Sequence, residues 1–260
     1  MRLGLSKIID CPGASVPFST SVDLSDLRYG ECYPVSEPVL ASGTVRNTAG
    51  VLVMTGNIHT TIHGVCDRCA SDFDADVEYP IDVVLDTDAF NEIDDQFAIS
   101  YLLSSRDRLN IKGICAAPFL NRKVGSAAEG MEKSYAEIQK LLRLAGETAL
   151  LDRVYRGSDR YLPDEATPVD SPAARFMVEL SRNYDAEHPL YIVAIGAITN
   201  VASALLMDPQ MKDRCVVVWL GGRAVHMPQG GMEFNMRQDV AAARVVFGCG
   251  VPVVQLPCRG

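Results

Sequence analysis

The pattern of apolar and polar residues changes near residue 80 of this 260-residue chain. Before that point, residues 42–46 and 51–63 are rich in β-branched and small residues and flank a turn-type cluster at 47–50. We expect these two segments to form an antiparallel strand pair. The pattern favours no long helix in this part, and residues 22–27 are interpreted as a single helical turn.

From residue 81 onward, short apolar runs alternate with segments of helical periodicity. Strands are predicted at residues 81–85, 111–115, 190–195, 216–220 and 251–254, and helices at 94–103, 127–144, 173–184, 198–207 and 238–247. Apolar strands that alternate with helices predict an α/β fold, a mostly parallel sheet flanked by helices. We therefore expect a small β-rich N-terminal module over residues 1–80 and an α/β domain over residues 81–260.

Composition and charge narrow the range of functions. Apolar residues make up 48% of the chain and charged residues 22%, which is typical of a globular protein. The net charge of −9 disfavours a broad electrostatic contact with nucleic acid. No apolar run has the roughly 18–20 residues of a membrane helix, and the first residues lack the apolar core of a secretory signal. We therefore expect no membrane association, a cytoplasmic location and reduced cysteines.

The densest chemical feature is residues 86–95, where acidic and amide side chains follow a predicted strand and lead into a helix. Its members are Asp86, Asp88, Asn91, Glu92, Asp94 and Asp95. Ligands of open parallel sheets bind at the carboxyl ends of strands. Carboxylates this close repel one another unless a cation lies between them, and hard oxygen ligands favour Ca²⁺ or Mg²⁺. Such an ion would activate a water molecule, and a further carboxylate could serve as general base.

The cluster also has a structural interpretation and a second metal-site interpretation. Asp94 and Asp95 could be first-turn acids that the helix dipole stabilises, and Asp86 could be an end-of-strand cap. An EF-hand loop is disfavoured, because its sixth position would be Asn91 instead of Gly and its twelfth Phe97 instead of Glu.

A third interpretation is a phosphatase. An Asp-x-Asp after an apolar strand resembles the haloacid-dehalogenase phosphotransferases, in which Asp86 would be the nucleophile and Asp88 the general acid. Those proteins place Thr or Ser soon after the second aspartate, whereas Ala89 follows here.

The cluster most resembles the opening signature of the inosine/uridine-preferring nucleoside hydrolases, in which Asp-x-Asp is followed by a short turn and Asp-Asp. Residues 194–202 and 221–242 resemble two further motifs of that family in the same order. The resemblance covers about residues 81–260. It implies that the chain binds a small-molecule nucleoside and hydrolyses its N-glycosidic bond in a Ca²⁺-dependent reaction.

The resemblance also implies roles at matching positions. Asp88 would bind Ca²⁺ and act as the catalytic general base, with Asp95 and the main-chain carbonyl of Ile195 as further metal ligands. The sugar would be held by Asp94, Glu233 and Asn235, and Asp86 would support the loop.

The chain departs from the family pattern in two respects. The family usually has Asn soon after the Gly-Gly pair, where this sequence has Arg223. Family members also continue beyond the position of Gly260, with another aspartate ligand and a histidine near the leaving base. We therefore expect weak or no nucleosidase activity of this C-terminally truncated chain. If the chain folds, we also expect it to form a homo-oligomer.

The N-terminal module carries a separate motif, Cys66 and Cys69 in a Cys-x-x-Cys. Free packed thiols, half of a Zn²⁺ site and a redox pair are all open interpretations. Residues 1–84 resemble the large ribosomal RNA subunit accumulation proteins, on residues 43–69 and Phe18. That resemblance implies a ribosomal RNA or ribosome-associated partner, and it leaves a non-catalytic ribosome-biogenesis factor as the alternative function. The two resemblances meet at residues 79–86, where one strand would serve both parts.

Overall fold

The computed structural model describes residues 8, 11–28, 33–35, 37–48, 51–65, 72–78, 80–224 and 232–258. The chain divides into two compact units, Met1–Pro80 and Ile81–Gly260. No helix within the described ranges combines the length and apolarity that crossing a membrane requires.

The N-terminal unit contains a four-stranded antiparallel sheet in the order β1-β2-β3-β4. Its strands are Ser15–Val22 (β1), Val39–Thr48 (β2), Val51–Val65 (β3) and Asp72–Glu78 (β4). The expected hairpin is confirmed, because Thr48 pairs with Val51 across the tight connection of β2 and β3. The helical turn predicted at 22–27 is wrong: Val22 ends β1, and the Asp23 carboxylate accepts a hydrogen bond from Ser25 N at 3.0 Å, which favours a turn.

The junction between the units differs from the prediction as well. β4 ends at Glu78 in the antiparallel sheet, whereas β5 begins at Ile81 in a different sheet. Two strands therefore replace the single shared strand expected over 79–86. Pro80 lies between them and cannot donate a ladder hydrogen bond, which is consistent with a break at this point.

The second unit is a six-stranded, wholly parallel sheet in the order β10-β9-β8-β5-β6-β7. The strands are Ile81–Thr87 (β5), Leu109–Ala116 (β6), Val154–Arg156 (β7), Leu190–Ala194 (β8), Cys215–Leu220 (β9) and Val253–Leu256 (β10). The α-helices are Ile93–Ser104 (α1), Ala127–Leu144 (α2), Pro172–Ser181 (α3), Thr199–Met207 (α4), Phe234–Gln238 (α5) and Val240–Gly248 (α6). Short 3₁₀ helices cover Thr148–Arg153 and Pro209–Asp213. The predicted α/β fold with a mostly parallel sheet is confirmed.

Alternating side chains of the central strand feed two separate cores. Val84 of β5 packs into the core that α3, α4 and α6 share, whereas Val83 and Leu85 pack into the core under α1 and α2. Successive residues of a strand point to opposite faces, so a continuous apolar run buries both. This two-sided burial fixes β5 in the middle of the sheet.

The helix predicted over 238–247 is α6, which begins two residues later at Val240, and the short helix α5 before it was not predicted. Asp239 separates them, because its carboxylate accepts a hydrogen bond from Ala242 N at 2.9 Å and caps α6. The predicted start of α3 is confirmed, with Ser171 as the capping residue and Pro172 in the first turn.

Candidate active site

The carboxyl ends of β5, β8 and β9 lie at the same edge of the sheet, since all six strands are parallel. The acidic cluster begins with Asp86 near the end of β5, Ile195 follows β8, and Gly221 follows β9. Helix α5 crosses this edge: hydrogen bonds tie its start to Gly222 and its last residue to Leu120. The sequence-predicted residues are therefore brought to one edge.

Three carboxylates form the floor of the site. Asp86, Asp88 and Asp95 are only 0%, 1% and 5% exposed. Burial raises the pKa of Asp86 to about 7 and, despite the Thr87 hydrogen bond, that of Asp95 to about 7. The pKa of Asp88 is raised well above its usual value, first by burial and then by the negative charge of Asp95. These three carboxylates therefore destabilise one another when all are ionised.

Neutral donors contact the floor carboxylates. The Thr87 hydroxyl donates to Asp95 Oδ1 at 2.5 Å, and Asn91 Nδ2 donates to Asp88 Oδ2 at 3.0 Å. Asp86 Oδ2 is buried without any hydrogen-bond partner. In the described ranges, the ion pairs leave all three carboxylates without a cation. The negative charge of the floor is thus uncompensated within the described protein.

Asn200, which the sequence did not single out as a site residue, fixes the position of Asp86. Its Nδ2 donates to Asp86 Oδ1 at 2.8 Å, and its Oδ1 accepts hydrogen bonds from Ser158 N at 2.7 Å and Ser158 Oγ at 2.9 Å. A Cβ at Gly157 would lie 1.9 Å from Ala116 O, so only glycine permits this close approach. The partners are distant along the chain, which explains why no local pattern reveals them.

Ile195 lies beside the floor. Its N donates to Asp86 O at 2.9 Å, and a Cβ on the adjacent Gly196 would lie 2.9 Å from Asp88 Oδ1. Asn235 Nδ2 donates to the carbonyl oxygens of Ile195 at 3.0 Å and Leu220 at 2.9 Å. Asn235 thereby joins α5 to the ends of β8 and β9.

The other two sugar-binding candidates differ in their surroundings. Glu233 caps α5, and its carboxylate accepts hydrogen bonds from the main-chain nitrogens of Gly222, Asn235 and Met236 at 2.7, 2.8 and 2.9 Å. Asp94 is exposed in the first turn of α1, whereas its neighbour Asp95 is buried. The Asp-Asp pair therefore divides into one inward and one outward carboxylate.

A second set of contacts closes the rim on the β6 and β7 side. Gln238 Oε1 accepts hydrogen bonds from Leu120 N at 2.7 Å and from the Tyr161 hydroxyl. Asp239 Oδ2 accepts from Leu162 N at 2.9 Å and from the Thr199 hydroxyl at 2.8 Å. Burial and the negative charges of Asp88 and Asp239 raise the pKa of Tyr161. This rim joins loops that lie up to 118 residues apart, and the sequence carries no short-range signal for it.

The donor set at the floor suits a hard cation. Among the described residues, no three or more His, Cys, Asp and Glu side chains gather as a metal site. The candidate ligands comprise two side chains, Asp88 and Asp95, together with the carbonyl oxygen of Ile195. They are oxygen atoms in a buried, uncompensated negative environment, which fits Ca²⁺. Cys66 and Cys69 lie outside the described residues, so the Zn²⁺ interpretation stays a prediction.

Sequence comparison identifies a family and curated relatives. The family model described as Inosine-uridine preferring nucleoside hydrolase matches residues 83–259. The chain is 32% identical over 130 residues to Probable uridine nucleosidase 2 of Arabidopsis thaliana, and this match covers 49% of this chain and 39% of the relative. It is 29% identical over 145 residues to the pyrimidine-specific ribonucleoside hydrolase RihA of Escherichia coli, covering 54% of this chain and 44% of the relative. The chain thus spans less than half of these relatives.

Solved structures share the fold. A plant nucleoside hydrolase, PpNRh1, is 22% identical with a TM-score of 0.53, and the match covers 68% of this chain and 60% of that one. A purine-preferring ribonucleoside hydrolase from Gardnerella vaginalis is 24% identical with a TM-score of 0.52, covering 67% and 60%. These neighbours support the parallel α/β architecture of the second unit.

Proposed function

Because the chain belongs to the inosine-uridine preferring nucleoside hydrolase family, we propose that it hydrolyses the N-glycosidic bond of ribonucleosides to ribose and free base. The observation that carries this proposal is the buried floor of Asp86, Asp88 and Asp95 at the carboxyl edge of the sheet. A group of carboxylates is suited to stabilising the positive charge that develops on a sugar as its glycosidic bond breaks.

Calcium is the finer part of the proposal. Asp88, Asp95 and the carbonyl oxygen of Ile195 would hold Ca²⁺, whose charge would offset the repulsion among the floor carboxylates. The bound ion would lower the pKa of a water molecule and so supply a nucleophile at neutral pH.

The residues of the chain divide the remaining work. Asp88 accepts the proton of the attacking water at its carboxylate as general base, and Asn91 holds Oδ2 of that carboxylate. Asp86 orders the floor, because Asn200 Nδ2 donates a hydrogen bond to its Oδ1. Thr87 fixes Asp95 in the inward conformation.

The sugar lies between α1 and α5 in this proposal. Asp94 is the exposed carboxylate of the cluster and can accept hydrogen bonds from ribose hydroxyls. Glu233 and Asn235 line the opposite side, although main-chain partners already occupy much of their hydrogen-bonding capacity. We therefore assign these two residues mainly to holding α5 in place around the sugar.

The test is release of reducing sugar from uridine and inosine by the full chain with added Ca²⁺. Asp88→Asn should lower kcat by roughly 10²–10⁴-fold, as loss of a general base does. Asp107→Asn is the matched control, because Asp107 is exposed and distant from the cluster in sequence. Equal activity of Asp88→Asn and the wild type would refute the assignment. The expectation of weak activity, made from sequence, is measured in the same assay.

No observation favours the two alternative functions. A phosphatase would need Asp86 as its nucleophile, but the family that matches residues 83–259 is that of the nucleoside hydrolases. The family match lies at residues 83–259, so the ribosomal interpretation of residues 1–84 and its RNA partner stay predictions. The expected homo-oligomer also stays a prediction.

A further inference from the structure

A series of amide groups leads from the loop after β6 to the candidate general base. The main-chain N of Lys123 donates a hydrogen bond to Asn121 Oδ1 at 2.8 Å, and Asn121 Nδ2 donates to Asn91 Oδ1 at 2.7 Å. Asn91 Nδ2 in turn donates to Asp88 Oδ2 at 3.0 Å. Each side-chain amide therefore accepts a hydrogen bond at its oxygen and donates one from its nitrogen. We call these four groups the amide series.

The direction of the amide series is fixed at both ends. A main-chain N–H can only donate, so Lys123 N requires the oxygen of the Asn121 amide. An ionised carboxylate can only accept, so Asp88 requires the nitrogen of the Asn91 amide. An amide that turned end for end would place two donors or two acceptors against each other. Both ends thus select the same orientation, and hydrogen bonds that run in one direction strengthen one another.

The turn that carries Asn91 is held by contacts that do not involve the side chain of Asn121. Asn91 N donates to Asp88 O at 2.7 Å, and the ammonium group of Lys123 donates to Asn91 O. The Asn91 side chain is 5% exposed, so water has little access to replace Asn121 as its donor. The position of the turn therefore has other supports, whereas the orientation of the Asn91 amide depends on Asn121.

The amide series also distinguishes the two oxygens of Asp88. Asn91 occupies Oδ2, whereas a Cβ on Gly196 would lie 2.9 Å from Oδ1. Gly196 directly follows Ile195, whose carbonyl oxygen is the candidate main-chain ligand of the metal. Oδ1 therefore lies beside the end of β8, on the side where the ion and the attacking water are proposed to bind.

We propose that Asn121 is a positioning residue, which acts through Asn91 to hold Asp88 Oδ2 and so present Oδ1 to the attacking water. The inference rests on the proposed function, in which Asp88 is the general base. Without the donor of Asn121, the Asn91 amide can turn its oxygen toward the Asp88 carboxylate. The two oxygens then repel, the carboxylate rotates, and the alignment of the base with the water is lost.

The kinetic test uses Asn121→Asp, which keeps the shape of the side chain but removes its donor. Lys123 N can still donate to the new carboxylate, whereas Asn91 must turn its nitrogen toward residue 121 and its oxygen toward Asp88. We expect kcat for uridine and inosine to fall roughly 10–100-fold, with KM within about threefold of the wild type, because alignment for the reaction is lost and substrate contacts are kept. Asn121→Ala removes the donor without adding a charge and should lower kcat roughly 3–10-fold.

Arg122→Gln is the matched control for charge. Arg122 is exposed and adjacent to Asn121, and its substitution changes the net charge as Asn121→Asp does. It should leave kcat within about twofold of the wild type, since exposed charges are screened by salt. Equal losses of kcat in Arg122→Gln and Asn121→Asp would overturn the inference.

A double-mutant cycle tests whether Asn121 acts through Asn91. If it does, Asn121→Asp should change kcat by less than about twofold once Asn91→Ala is present, because the link to Asp88 is already broken. A merely structural role of Asn121 would give the same loss in both backgrounds, and that result refutes the inference.

An NMR measurement separates failure of the inference from failure of the proposed function. In the metal-free full chain, isotope-labelled at its asparagine nitrogens, the side-chain NH₂ signal of Asn91 is identified by its absence in Asn91→Ala. Asp88→Ala should shift this signal by more than its linewidth, because the acceptor is lost. In Asn121→Asp the same Asp88→Ala change should not shift it, because the NH₂ group then faces residue 121.

The possible outcomes are distinct. If no substrate is hydrolysed but this NMR difference is found, the hydrolase proposal fails and the orientation of Asp88 by Asn121 stands. If substrates are hydrolysed and Asp88→Ala shifts the signal equally in both backgrounds, the hydrolase proposal stands and the inference is refuted. If circular dichroism shows that Asn121→Asp does not fold, Asn121→Ala decides the result, and wild-type kcat in that variant refutes the inference.

Discussion

The floor and the rim of the site are built in different ways. The floor carboxylates, Asp86, Asp88 and Asp95, lie within ten consecutive residues after one buried strand, whereas the rim joins α5 to loops up to 118 residues away. The floor holds charge without a cation partner in the described protein, and the rim is satisfied by hydrogen bonds. Ionising the floor carboxylates therefore costs stability, whereas the hydrogen bonds of the rim hold distant loops together around them.

The largest effect on stability should come from the residue that anchors the floor. Asn200→Ala would leave Asp86 Oδ1, Ser158 N and the Ser158 hydroxyl without their buried partner. We expect the free energy of unfolding to fall by about 3 kcal/mol, measured by urea denaturation. Asn183→Ala is the control, because that exposed side chain donates to Leu180 O on the surface, and its effect should stay within about 0.5 kcal/mol.

A change in the floor itself should act in the opposite direction on the metal-free chain. Asp95→Asn removes a buried negative charge and keeps an oxygen for the Thr87 hydroxyl. Because the pKa of Asp95 is raised to about 7 in the folded state, its ionisation lowers stability as the pH rises toward and through 7. Asp95→Asn should therefore stabilise the metal-free protein by about 2 kcal/mol at pH 8 and by less at pH 5. Thermal unfolding at both pH values measures this, and a destabilisation at pH 8 would contradict the picture of a strained floor.

A moderate effect is expected at the rim. Gln238→Ala removes the acceptor that Leu120 N and the Tyr161 hydroxyl share. The half-buried position should limit the loss to about 1 kcal/mol of unfolding free energy. We expect KM for the nucleoside to rise more than kcat falls, because the loops beside the substrate loosen while Asp88 is untouched. A loss confined to kcat would show that Gln238 acts on the chemistry instead of the rim.

The smallest effect should follow from Glu233→Gln. The amide oxygen can still accept a main-chain hydrogen bond at the start of α5, but the charge that favours a helix N-terminus is lost. We expect a decrease of about 0.5 kcal/mol in unfolding stability, measured by urea denaturation. A loss above 2 kcal/mol would mean that Glu233 is part of the stability-determining core.

Sequence reasoning succeeded where information is local. The buried run at 81–85 and the helical spacing after it placed Asp88 just after a strand and Asp95 at the start of a helix, and Ser171-Pro172 marked the start of α3. It failed where a contact is made across the fold. Asn200 and Gln238 look like ordinary helix residues along the chain, and their partners appear only when distant loops meet. The helix α5 was missed because its five residues are too few to show a helical periodicity.

The sequence also could not predict which of the aspartates are buried and which are exposed. Asp94 and Asp95 are adjacent and chemically identical, yet one is exposed and the other is 5% exposed. The rotation of α1 against the sheet decides which carboxylate faces inward. The pattern alone therefore indicates a cluster of candidate ligands but not which of them are buried.

The central claim is that the floor carries negative charge which a bound Ca²⁺ neutralises, and calorimetric titration of the metal-free full chain with Ca²⁺ tests it most directly. We predict saturable binding of one ion by the wild type, no binding by Asp88→Asn or Asp95→Asn, and unchanged binding by the Asp107→Asn control. Absence of binding to the wild type, or equal binding by the floor variants, would contradict the account.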